Sequence, residues 1–222
     1  MNCHAHHIDD HLLVLEKPAD LLAVPGLGPQ GSACLVARAQ AQWGDVRTVH
    51  RLDMATSGLM VFARDAPTQR ALSMAFEQRQ VHKRYVATVH GLVVGLQGSI
   101  DLPLLADWPN RPRQKVDLEH GKPSLTHWQV LTRDMTRQQT TLVLHPVTGR
   151  SHQLRVHLLS MGHAIVGDAL YGPSTIKSCE TATPPRLMLH ATELGFLHPA
   201  SGEDMRFQSP APFLPAFLRP SS

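Results

Sequence analysis

A single α+β domain is what this 222-residue sequence predicts. Short apolar or alternating runs, the pattern of strands, outnumber the stretches with helical spacing. Those helical stretches do not alternate regularly with strands, which argues against a doubly wound parallel sheet. No internal repeat, low-complexity tract or clear linker divides a length that fits one to two domains of about 150 residues each.

The elements follow in order. Residues 11–15 (HLLVL) read as a buried strand ended by Lys17-Pro18. A loop with Pro25, Gly26, Gly28, Pro29 and Gly31 comes next, and Ser32 is placed to cap a helix over 33–43 that stops at Gly44. Thr56-Ser57-Gly58 reads as a turn into a strand over 59–63. Residues 66–80 have helical spacing, with Leu72, Ala75 and Phe76 on one face. Strands are expected over 85–90, ending at Gly91, and around 126–131, 141–144 and 188–196. Residues 151–161 read as a helix with Ser151 as N-cap, Leu154, Leu158 and Met161 on the buried stripe, and Gly162 as the stop. The tail over 209–222 carries four prolines and is expected to lie along the surface or fray.

Composition narrows the classes. The hydrophobic share is 42%, which excludes a disordered chain, and no run of about 18 apolar residues is present to span a membrane. Cys3, Cys34 and Cys179 are too few and too scattered for a disulfide framework or a four-cysteine zinc site. The N-terminus carries Asp9, Asp10 and histidines where a signal peptide needs a basic stretch and then an apolar one. The cytoplasm is the expected compartment.

The net charge of +3 is mild but unevenly spread. Residues 1–46 hold 2 basic and 5 acidic side chains, whereas 47–84 hold 7 basic and 3 acidic. Residues 108–116 (WPNRPRQKV) add Arg111, Arg113 and Lys115 with no acid. A polyanion would meet the middle of the chain first, although solvated basic faces explain such runs equally well on charge alone.

Several motifs carry little. GLGPQG over 26–31 matches G-x-G-x-x-G but lacks the repeating βαβ framework of a dinucleotide site. Cys3, His4, His6 and His7 form one histidine-rich group and His152, His157 and His163 another. His152 is followed by Gln153 and lies five residues from His157, so the zincin pattern fails. No metal is expected, and the N-terminal group reads as a mobile surface segment. There is no G-x-S-x-G elbow and no P-loop.

The informative stretch is HRLDMATSG over 50–58. On residue types alone, Asp53 fits a turn or capping residue better than a nucleophile. Together with TGRSHQLRVH over 148–157, however, the stretch resembles the RluA family of pseudouridine synthases. EKPADLLAVPG (16–26), KRYVATVHG (83–91), GHAIVGDALYG (162–172) and LHATELGFLHP (189–199) are similar to further family segments, in the same order. DLPLLADWPNRPRQKV (101–116) resembles a short subgroup that acts on both 23S ribosomal RNA and the first uridine of certain tRNA anticodon loops. Only 49 residues precede His50, so no S4-type N-terminal RNA-binding domain is expected. Asp20, Glu16 and Ser151 stand where the family more often has Gly, Asn and Thr.

The resemblance implies a pseudouridine synthase fold, a mixed and mainly antiparallel sheet with flanking helices and an active-site cleft. It implies isomerisation of uridine within RNA, without cofactor or metal, by a chain expected to be monomeric. Asp53 matches the catalytic aspartate. Arg155 matches the arginine expected to keep it ionised. Tyr85 matches the tyrosine that packs on the target base. Arg51 is expected to fill the stack the flipped base vacates. Lys83, Arg84, Arg111, Arg113 and Lys115 are expected on RNA phosphates. Trp108 suits a loop base or the core equally, and His50 and His152 read as structural supports. The competing class is a non-catalytic RNA-binding module on the same fold, which would not need Asp53, Tyr85 and Arg155 together.

Overall fold

Apolar alternation and glycine placement set the strands. The computed structural model describes residues 3–26, 33–172 and 186–215. Along them lie β1 (Ala5–Ile8), β2 (Leu12–Lys17), α1 (Leu35–Trp43), β3 (Arg47–Thr48), β4 (Ser57–Ala63), α2 (Ala66–Glu77) and β5 (His82–His90). There follow β6 (Gln97–Asp101), β7 (Leu104–Ala106), β8 (Gln114–Val116), β9 (Leu125–Asp134), β10 (Gln139–Pro146), α3 (Gln153–Ser160), β11 (Leu189–Leu197) and β12 (Asp204–Gln208). This is the α+β class the sequence predicts. The chain divides into two compact units, one running up to Lys83 and resuming at His190, the other Arg84–Leu189. Among the described residues no helix is long and apolar enough to cross a membrane.

In the first unit the strand order is β1-β2-β4-β11, with β12 on β11 and β3 on β4. All of these pairs are antiparallel except β4 with β11, where His190 meets Ser57 and Ala191 meets Gly58 in parallel. Every residue of β4 is buried, which explains its unbroken apolar run: a strand covered on both faces has no polar side to show. Leu12 and Val14 of β2 and Leu59 and Val61 of β4 point to one face by the two-residue period, and there they pack with Leu72 of α2 and with Val81, Leu194 and Phe196. Asp65 caps α2, accepting the Thr68 N–H at 2.6 Å. Such a cap contributes about 1 kcal/mol.

The second unit carries the antiparallel order β5-β10-β9-β6 and a separate hairpin, β7-β8. Tyr85 faces Leu144 across the β5–β10 pair. Val156 of α3 packs with Leu104 of β7 and with Tyr171, so the helix buttresses the hairpin that holds the basic segment.

The structure departs from several sequence expectations, each for a local reason. The N-terminal group is not a mobile surface segment, because residues 5–8 pair with β2 as β1. Helix α1 starts at Leu35, after an extended Cys34, and its first amides donate to Leu22 O and Ala23 O rather than to a side-chain cap. Ser32, the GLGPQG residues after Gly26, Cys179 and residues 216–222 lie outside the described residues. Helix α2 ends at Glu77, and Arg79 beyond it takes a φ of 60°. Ser151 is not the N-cap of α3. His152 holds that position with a φ of 55°, and Gln153 ties down the turn instead. Its Oε1 accepts from Arg150 N–H (2.9 Å) and the Thr148 hydroxyl (2.7 Å), while its Nε2 donates to Leu125 O and Thr126 Oγ1. Met161 is only half-buried. Residues 209–214 do not fray: Ser209 donates its N–H to Thr192 O at 2.8 Å, and Ala211 and Leu214 are buried.

Candidate active site

The Asp53 loop is held at both ends. Downstream, the Thr56 N–H donates to Asp53 O at 3.1 Å and closes the turn. Gly58 then has a φ of 117°, and a Cβ there would run into the backbone of Ala191. Only glycine permits that approach, which is the physical reason for the T-S-G turn. Upstream, His50 stacks on Phe76 with centroids 4.4 Å apart, and its Nε2 accepts the Val61 N–H at 3.1 Å. An accepting Nε2 places the proton on Nδ1, so the ring is neutral. Burial, followed by the Lys83 charge, pushes its pKa down to about 3. The support role expected for His50 is the one it has.

Below the loop lies Lys17, with 0% of its surface exposed. Its Nζ donates to Pro18 O (2.9 Å), Leu21 O (2.7 Å) and Met54 O (2.8 Å), matching the three donors of an ammonium. Met54 follows Asp53, so one buried cation clamps the residues after β2 to the loop of the candidate nucleophile. Nearby Asp20 has a φ of 61°, a left-handed conformation that aspartate tolerates better than most side chains. Its occupation of a common glycine position is thereby explained.

A second buried connection starts at Ser57. His190 Nδ1 lies 2.7 Å from Ser57 Oγ and its Nε2 lies 3.0 Å from Ser209 Oγ, which donates to Glu16 Oε2 at 2.9 Å. Ser209 spends its proton on Glu16, so His190 Nε2–H donates to Ser209. Both ring nitrogens of the buried His190 are thereby engaged.

Within the first unit, Arg51 is exposed and Asp53 half-buried in the same loop. Lys83, the second residue of β5, is half-buried, and burial, then the nearby Arg79 charge, lower its pKa. Arg84 and Tyr85 follow on β5 as the first residues of the second unit.

In the second unit Arg155 is buried on α3 and gripped by Asp168, with Nε to Oδ2 and Nη2 to Oδ1 both at 2.7 Å. The two side chains are 5% and 1% exposed. Burial alone would raise the Asp168 pKa. The Arg155 hydrogen bonds and charge, with the Tyr171 and Leu170 amides, outweigh it and hold the carboxyl below its ordinary value. This grip uses Nε and Nη2 and fixes the plane of the guanidinium. Tyr171 stands beside it, its ring 5.0 Å from Arg155 Cζ and 5.3 Å from Arg113 Cζ. The Tyr171 hydroxyl accepts the Gln114 N–H at 2.7 Å and lies in hydrogen-bond contact with His152 Nδ1 at 2.8 Å. Burial, the largest influence, raises the phenol pKa, so it stays protonated.

The basic hairpin presents its groups unequally. Trp108 is 63% exposed, which removes the core alternative, and Arg111 Cζ lies 3.7 Å over its ring. Lys115 is ion-paired to Asp117 at 3.1 Å, so its charge is partly neutralised. The histidines of the second group each have their own partners. His157 bonds Thr126 Oγ1 and Leu102 O, and His163 bonds His90 O.

Residue-type reasoning does not single out Lys17, Asp168 or Tyr171. All three lie inside segments with a family resemblance, Lys17 in 16–26 and the others in 162–172, which is the signal available for them.

The chain is 45% identical over 207 residues to the dual-specificity RNA pseudouridine synthase RluA of Pasteurella multocida (strain Pm70), spanning 93% of this chain and 92% of that one. It is 50% identical over 196 residues to the protein of the same name from Vibrio vulnificus (strain CMCP6), spanning 87% and 77%. Among solved structures, human RNA pseudouridylate synthase domain containing 1 superposes with a TM-score of 0.82 at 28% identity, covering 97% of this chain and 86% of that one. The family profile described as RNA pseudouridylate synthase matches residues 11–160, and the chain belongs to that family.

Proposed function

We propose that this protein isomerises specific uridines in RNA to pseudouridine, in 23S ribosomal RNA and at the first uridine of certain tRNA anticodon loops. Family membership supports the reaction class. The name shared by the relatives, dual-specificity RNA pseudouridine synthase, supports more than one RNA target. The reaction balances internally: the N1–C1′ bond breaks, the base rotates, C5 bonds to C1′, C5 gives up its proton and N1 gains one. No redox or group-transfer partner is needed. Both compact units serve one catalytic domain in this reading.

The observation that carries it is the Lys17 clamp at Met54, which holds an aspartate loop in one conformation. Preorganisation of that kind suits a nucleophile and is unnecessary for a solvated turn. Asp53 attacks the uridine as a carboxylate. Tyr85 supplies the ring on which the target base packs. Arg155, its plane fixed by Asp168, supplies the buried cation this chemistry needs. Arg51 fills the vacated stack, and Lys83, Arg84, Arg111, Arg113 and Trp108 hold the RNA, with Lys115 contributing less.

The experiment is tritium release from C5-labelled uridine in an anticodon stem-loop. Asp53→Asn and Asp53→Ala are expected to abolish release while RNA binding persists. Turnover near that of the unmodified protein would refute the mechanism. Pseudouridine mapping of total RNA from a strain lacking the gene should show losses in both tRNA and 23S rRNA. Loss from one alone would restrict the protein to a single target.

A further inference from the structure

We propose that His4, just before β1, and His6 of β1, with Glu16 of β2, form a binding site for a divalent cation of the zinc class. Their ligand atoms all lie within 4.8 Å of one another. The two imidazoles meet edge to face with centroids 4.8 Å apart, and His6 Nε2 is 3.2 Å from Glu16 Oε2.

The backbone makes this convergence. Ala5 pairs with Leu15 and His7 with Val14, so β1 carries one extra residue, His6, against β2. A bulge re-aims the side chain it carries. The Glu16 N–H donates to His4 O at 3.0 Å, which fixes the third residue beside the first.

The donor set selects the ion. Two imidazoles and one carboxylate suit zinc and its neighbours, whereas magnesium and calcium require mostly oxygen. Three protein ligands leave a fourth position for water. Tetrahedral ligation needs ligand atoms about 3.3 Å apart. His6 and Glu16 already meet that spacing, and the exposed His4 closes the set by rotating its side chain.

The carboxylate is also supported from behind. Ser209 donates to Glu16 Oε2 at 2.9 Å and is itself held by His190, which reaches Ser57. Such outer partners orient a ligand and raise its affinity. Binding replaces the His6–Glu16 hydrogen bond with a bond from each side chain to the ion. The ion would pin β1, the edge strand of the first unit, to β2.

The test is a calorimetric titration of the untagged, chelator-stripped full chain with zinc chloride. One equivalent is expected, together with a rise in Tm and, with cobalt substituted, the visible absorption of a tetrahedral complex. His6→Ala and Glu16→Gln should weaken binding at least about tenfold, and Ser209→Ala by a comparable factor. Circular dichroism checks that each variant is folded. His4→Cys, which keeps a zinc ligand at that place, should retain the equivalent. No heat of binding, or an equivalent unchanged in His6→Ala and Glu16→Gln, would overturn the site.

Discussion

The Lys17 ammonium and the Met54 carbonyl meet at 2.8 Å across 37 residues of sequence, one position beyond Asp53. The lysine is wholly buried, so the contact is exchanged with no solvent. Lys17→Met keeps the aliphatic stem and removes all three donors. A buried acceptor left unmet costs about 1–3 kcal/mol, so urea unfolding should show a loss of at least about 2 kcal/mol. Single-turnover rates should fall at least tenfold with RNA affinity little changed. A folded variant with the original rate would show that the clamp does not position Asp53.

Arg155 and Asp168 form a pair whose halves are not separable. Asp168→Asn leaves the guanidinium without its counter-charge, and breaking a buried pair on one side costs about 3–5 kcal/mol. The Asp168 pKa is depressed in the folded chain. Its stabilisation is therefore complete above the ordinary carboxylate range and is lost as pH falls through the folded value. Urea midpoints measured from neutral to acid should converge for Asp168→Asn and the original protein as the pH drops. Arg155→Ala should also lose most of its turnover; an unchanged rate would remove Arg155 from the site.

His50 gives a different pH signature. Its folded pKa is about 3 against an ordinary 6.5, so in the acid range the unfolded chain takes up the proton and the folded chain does not. Stability from this residue is whole above pH 6.5 and declines as pH falls towards 3. His50→Gln should flatten the fall in Tm across that window relative to the original protein. An identical slope would mean that His50 is protonated in the folded state.

RNA affinity should separate the basic hairpin residues by salt dependence. Each phosphate contact removed lowers the slope of log K against log salt by about 0.7–0.9. Arg111→Ala and Arg113→Ala should each show such a drop. Lys115→Ala should show less, because Asp117 already neutralises part of its charge. Trp108→Ala should cost about 1–3 kcal/mol of affinity if a base stacks there. Equal slopes for Arg111→Ala and Lys115→Ala would discount the ion pair.

The strands of the first unit are legible because burial imposes their pattern: HLLVL in β2 and the apolar run of β4 have no other packed solution. Asp53 on residue types alone reads as a turn residue, and only the resemblance of HRLDMATSG and TGRSHQLRVH to a known family marks it; the demand for Gly58 comes from Ala191, distant in sequence. What is not legible depends on distant partners. β1 is polar and becomes a strand only because β2 lies beside it. Lys17 reads as the end of a strand until three carbonyls from separate places surround it. Asp168 and Tyr171 lie in a loop and acquire meaning from Arg155 and Gln114, far from them in sequence. Ser151 looks like a helix cap, yet His152 holds the N-cap position and the side chain of Gln153 bonds the turn before the helix.

The parallel pairing of β4 with β11 has a temporal consequence. Ser57 and His190 are 133 residues apart, and no shorter stretch of chain can supply the backbone that Gly58 packs against. On the ribosome, where the chain emerges from its N-terminus, the local Thr56–Asp53 turn can close early, but the Gly58 contact forms only once β11 has been made. A nascent fragment ending before β11 should therefore pair β2 with β4 and still lack the backbone that Gly58 packs against.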